Sequence, residues 1–120
     1  MEAEMVALIP MAELPEGFSY PEDYLRVIEL GLTDLEPWWI MDGAILFNIY
    51  RGLAERYPDD SFVPFAKRED NDDVACWDLA GRNIVIVHDY ASPGRHRRGE
   101  FKDFYAWFRQ AVEDLIEFDG

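Results

Sequence analysis

This chain is poor in the residues that most small enzymes and secreted modules are built around. It has one cysteine, Cys76, and two histidines, His88 and His96. A lone cysteine excludes an intrachain disulfide and a cysteine-based metal site, and suits a reducing compartment. The serines, Ser19, Ser61 and Ser92, stand in no nucleophile-elbow context, and no glycine-rich phosphate loop occurs. No window approaches the roughly 20 apolar residues of a membrane span. The opening MEAEMVALIPMAEL places Glu2 and Glu4 where a signal peptide needs positive charge, and Pro10 breaks its apolar run. A cytoplasmic protein is expected.

Positive charge is scarce as well. Lys and Arg number 11 against 25 Asp and Glu, a net charge of −14. Such a surface repels phosphate backbones and anionic lipid, which argues against nucleic acid or membrane as a direct partner and favours a basic protein. The exception is GRHRRGE, where Arg95, Arg97 and Arg98 could either grip an anion or pair internally with the acidic surface; the sequence leaves both open.

What the chain does have is apolar and aromatic material. With 49% apolar and 15% aromatic residues in 120 positions, one domain spanning 1–120 can bury its own core. A monomer or weak homodimer is expected. From Ser19 to Gly31, a Ser and a Glu three apart, a Pro in the first turn and a closing Gly predict a helix, with Tyr24, Val27, Ile28 and Leu32 as its buried stripe. Asp42 is placed to cap a second helix from about Ala44, whose stripe is Leu46, Ile49, Tyr50, Leu53 and Tyr57 and which Pro58 stops.

The period then changes to two. Residues 62–67, 74–79 and 84–88 read as three antiparallel strands in a meander, Pro64 marking an edge or a bulge and IVIVH a strand buried on both faces. DYASPGRHRRGE reads as a loop, and residues 100–118 as a long helix whose stripe is Phe101, Phe104, Tyr105, Phe108, Val112, Leu115 and Ile116. Trp107 falls at the rim of that stripe. The expected fold is therefore α+β: a mostly antiparallel sheet with flanking helices and a long C-terminal helix packed on it.

Three features bear on chemistry. The run Glu69-Asp70-Asn71-Asp72-Asp73 fails the EF-hand pattern, because from Asp70 the fifth, sixth and twelfth positions are Val74, Ala75 and Gly81. A wet turn is the simpler reading, since Asp and Asn bond their own backbone in turns. His88, with Asp89 beside it and Cys76 on the neighbouring strand, is the one defensible enzyme centre, although no nucleophile can be tied to it. Trp107, like Trp38, belongs to the residue type enriched at interface hot spots.

The stretch FVPFAKREDNDDVACWDLAGRNIVIVHDY, followed by FKDFYAWFRQAV, resembles the SUKH superfamily, the fold of bacterial immunity proteins and Smi/Knr-type regulators. The likeness lies in the order of an h-x-P-F-A strand, a turn, a strand ending C-x-D-L, an apolar strand opened by Gly, and a helix rich in Phe and Trp. YPEDYLRVIELG is similar to the family's first helix. This chain departs from the pattern in Leu30-Gly31-Leu32, where Asn-Gly often stands, and in EDNDD, where a glycine is usual. The resemblance implies protein binding rather than catalysis, with no cofactor. It points to an immunity protein that neutralises a basic, nucleic-acid-acting toxin domain, or else to a regulatory scaffold without a toxin partner. The residues expected to meet the partner are Asp59, Asp60, Glu69, Asp70, Asp72 and Asp73, with Trp38 or Trp107 as an anchor.

Overall fold

In a computed structural model the chain is described over residues 7–89 and 95–118. The first helix, α1, runs Glu22–Glu29. Its end is where the sequence puts it: Gly31 adopts φ +76, its N–H donates to the Ile28 carbonyl at 2.9 Å, and the Leu32 N–H donates to Val27 at 3.1 Å. This paired closure satisfies carbonyls the helix would otherwise leave open. The start differs from the expected capping box. Pro21 occupies the N-cap, so no side chain caps the helix, and Asp23 accepts the N–H of Tyr24 at 2.7 Å instead. Tyr24 and Val27 are buried, whereas Leu32 is 44% exposed and leaves the predicted stripe.

Two short strands follow, β1 Asp34–Leu35 and β2 Trp38–Ile40, joined by Glu36-Pro37. Helix α2, Gly43–Arg56, then buries Leu46 and Leu53, with Tyr57 beyond its end. Asp42 sits at its N-cap position, but its side chain makes no capping bond. Next come β3 Phe62–Arg68, β4 Asp73–Asp78, β5 Asn83–His88 and β6 Arg97–Phe101, and the chain closes with α3, Phe104–Glu117. All six strands pair antiparallel in chain order. Pro64 lies in a strand with neighbours on both sides, and the register shifts between Pro64 and Ala66, so it marks a bulge rather than an edge.

Because side chains alternate along a strand and paired residues share a face, the register assigns each face. Asp73, Ala75 and Trp77 point one way with His88, Ile86 and Ile84; Val74, Cys76 and Asp78 point the other way with Val87, Val85 and Asn83. Helices α1 and α3 cover the Trp77 face. There Trp77, Tyr24, Phe65, Phe104 and Trp107 form a chain of aromatic contacts with centroids 4.5 to 6.0 Å apart. Helix α2 packs on β3 from the other side, with Tyr57 against Phe62.

Helix α3 presents a different side from the expected one. Asp103 caps it by accepting the Ala106 N–H at 2.9 Å, and the fully buried residues are Phe104, Trp107 and Ala111. Phe101 belongs to β6, while Leu115 and Ile116 are 40% and 70% exposed. Trp107, expected at the rim, is 1% exposed. The expected loop over residues 89–100 holds part of a strand, since β6 begins at Arg97; residues 90–94 lie outside the described residues.

Candidate interaction surface

The acidic run is used mostly to build its own turn. Arg68, at the end of β3, folds back so that Nε and Nη2 donate to the two carboxylate oxygens of Asp70 at 2.8 and 2.9 Å. That pair holds the Asp70 carboxyl below its usual pKa range, against the smaller opposing effect of burial. The Asn71 side-chain oxygen accepts the Asp73 N–H at 2.8 Å, the local turn expected of Asn. Asp73 then meets His88, Oδ1 to Nδ1 at 2.8 Å. The other two carboxylates of the run face solvent: Glu69 is exposed, and Asp72 is 72% exposed with Lys67 Nζ 3.8 Å away.

The fold adds acids that the sequence reading missed. Pairing of β2 with β3 sets Trp38 opposite Arg68, and the Glu69 N–H donates to the Pro37 carbonyl at 2.9 Å. This places the β1–β2 hairpin, with exposed Asp34 and Glu36, against the acidic turn. A hydrogen bond shared with Glu36 raises the Glu69 carboxyl above its usual pKa range, and the charges of Glu36, Asp34 and Asp70 add to it. Three acids, Asp34, Glu36 and Glu69, are thereby gathered at one end of the sheet. Asp34 and Glu36 lie more than thirty positions upstream of Glu69, so only strand pairing could have revealed them.

The eight residues expected at one partner surface do not form one. Asp59 and Asp60 precede β3 and Glu69 to Asp73 follow it, so the length of a seven-residue strand, roughly 20 Å, separates them. Asp59 is exposed, but Asp60 is consumed internally. Arg97 donates to Asp60 Oδ1 at 2.7 Å and to Asp78 Oδ2 at 3.0 Å, while His96 Nε2 lies 3.0 Å from Asp60 Oδ2. Burial pushes the Asp60 carboxyl up, but Arg97 and His96 outweigh it and the net displacement is downward. Arg97 is therefore an internal clamp, the second of its two sequence readings; Arg95 and Arg98 are exposed.

The tryptophan anchors are corrected outright. Trp38 is 4% and Trp107 1% exposed, and they pack edge to face at 5.5 Å. Trp38 Nε1 donates inward to Asp114 at 2.9 Å. Both are core residues and neither offers a face to a partner.

The proposed enzyme centre does not assemble. Cys76 and His88 point to opposite faces of the sheet, and Asp89 pairs with Arg56 instead of orienting His88. Cys76 is fully buried, and burial pushes its thiol well above the ordinary range, so it holds no thiolate at neutral pH. Among the described residues no group of three or more His, Cys, Asp or Glu is placed to hold a metal.

The fold and surface together define an α+β domain with an acidic end. Comparison with protein-family models, with curated proteins and with solved structures returns no match.

Proposed function

We propose that this domain is a protein-binding module whose acidic end, Asp34, Glu36, Glu69 and Asp72, docks a basic protein surface. The observation that carries the reading is the crowding at Glu69. Glu69 and Glu36 are close enough to share a hydrogen bond, with Asp34 and Asp70 adding their charge, and an incoming lysine or arginine would stabilise these acids in their charged forms. The rigid scaffold beneath, two strand ends fixed by ladder pairing and an Arg68–Asp70 clamp, presents these charges without further ordering cost.

The resemblance to SUKH-type immunity proteins supplies the biological form of this reading: neutralisation of a basic, nucleic-acid-acting toxin domain by occlusion. Carboxylates on a fixed surface would occupy the groove that phosphates otherwise fill. The test is protection. Co-expression with a toxin domain encoded beside this gene should restore growth, and the variant Glu36→Gln/Glu69→Gln/Asp72→Asn should lower the association rate about tenfold, with the wild-type rate falling as salt rises. A wild-type rate that does not respond to salt would refute the electrostatic docking. Failure to protect, with salt-dependent binding to other basic proteins intact, would refute the immunity form alone.

A further inference from the structure

Four large apolar side chains stay exposed where α1 and α3 end: Leu30, Leu32, Leu115 and Ile116. The two helices start together, since Pro21 and Asp23 line one cleft with Lys102 and Asp103, and Tyr24 meets Phe104 at 5.5 Å. They also end together. Leu32 leads within three residues to Leu35 of β1, Leu35 pairs with Trp38, and the Trp38 indole N–H donates to Asp114, the residue before Leu115. Because β1 also packs on α3, the four side chains share one end of the α1–α3 layer. Leu30 at 58% and Ile116 at 70% exposure keep area that a partner can still remove from water.

The charges around this end have one sign. After Arg26 on α1 and Arg109 on α3, neither helix nor the link into β1 carries a lysine or arginine, whereas Glu29, Asp34, Glu113 and Glu117 are all exposed. Both helices also direct their C-terminal, partly negative ends here. A second copy of the chain would set these acids against their own kind, and anionic lipid is repelled in the same way. An apolar centre inside an acidic rim instead suits a basic protein segment. Asp34 belongs to the acidic end as well, so the patch adjoins the docking surface proposed above.

We propose that the shared end of α1 and α3 is the apolar half of that docking surface, and that the partner segment presents bulky apolar side chains flanked by lysine or arginine. The apolar side chains would cover Leu30, Leu32, Leu115 and Ile116, and the flanking cations would meet the acidic rim. The inference rests on the docking reading for the sign of the partner's charge, and adds the apolar contact that charge alone does not provide.

The probes are two octapeptides of equal charge with blocked termini, KKGLLGKK and KKGSSGKK, titrated into the whole chain and followed by backbone-amide NMR. The leucine peptide should bind at least about tenfold tighter, with shifts centred on Leu30, Leu32, Leu115 and Ile116. Both affinities should fall as salt rises while their ratio persists, because salt screens the charges and not the apolar contact. Leu30→Ser/Ile116→Ser should remove the ratio and leave the serine peptide's affinity and the melting temperature unchanged, since both side chains are exposed. Leu32→Ser, outside both helices, should act in the same direction. Glu36→Gln/Glu69→Gln/Asp72→Asn should weaken the two peptides equally. Equal binding of the two peptides, a ratio that survives the patch variants, or shifts centred elsewhere would overturn the apolar contact and leave the acidic docking standing. A wild-type dimer in sedimentation that Ile116→Ser dissolves would overturn it too, by giving the patch to a second copy. Absence of salt-dependent binding by either peptide would refute both readings.

Discussion

Replacing Arg97 by methionine tests whether the internal clamp, rather than a free cationic loop, is what this arginine is for. Its guanidinium bridges Asp60 and Asp78 and lies 5.1 Å from the Phe62 ring centre. The Asp78 side chain is only 5% exposed, so removing Arg97 leaves a buried carboxylate with the Ala80 N–H, at 3.3 Å, as its remaining hydrogen-bond donor among the described residues. Stranding one partner of a fully buried pair costs about 3–5 kcal/mol. Arg97 itself is 39% exposed and partly screened, which reduces the expected loss to about 2 kcal/mol. For a chain of this length that corresponds to a melting temperature lower by roughly 8 °C. Urea denaturation of Arg97→Met, Asp78→Asn and the double variant should show non-additivity of about 1 kcal/mol, because neutralising Asp78 removes the charge that Arg97 compensates. Additive losses, or a single variant within about 0.5 kcal/mol of wild type, would refute the clamp.

Three further outcomes follow from the same geometry. Asp60 and Asp70 have folded pKa values below their unfolded ones, so the stability they contribute is present above about pH 4 and is lost as pH falls through the folded values. Melting temperature against pH should therefore drop on the acid side, and the drop should shrink in Asp60→Asn. Glu69 has the opposite sign: Glu69→Gln should raise the melting temperature at pH 7 and leave it unchanged at low pH, where the carboxyl is already protonated. Trp107→Ala should cost about 3–5 kcal/mol, read by urea denaturation, since it empties the packing between Trp38, Phe65 and Phe104; a loss below about 1 kcal/mol would return Trp107 to the rim.

Apolar spacing together with cap and stop residues marked the three helices, and alternation or, for IVIVH, a continuous apolar run marked the three middle strands. Gly31 marked the end of α1 because the Leu30-Gly31-Leu32 turn needs a residue at positive φ, a local requirement that local sequence can show. The acidic run could likewise be read as a turn, since Asn71 and Arg68 act on neighbours within two residues. The remaining elements depended on distant partners. Strands β1 and β2, of two and three residues, are too short to carry a period, and β6, RRGEF, has no apolar alternation and exists through its ladder with β5. Helix α3 has apolar residues on more than one side, and the sheet chose the side with Phe104, Trp107 and Ala111 over the one with Leu115 and Ile116. The same dependence divided the charges. Pairing of β2 with β3 carried Asp34 and Glu36 to the acidic turn, while Arg97 drew Asp60 inward, so which carboxylates are left for a partner was decided by contacts between residues far apart in the chain.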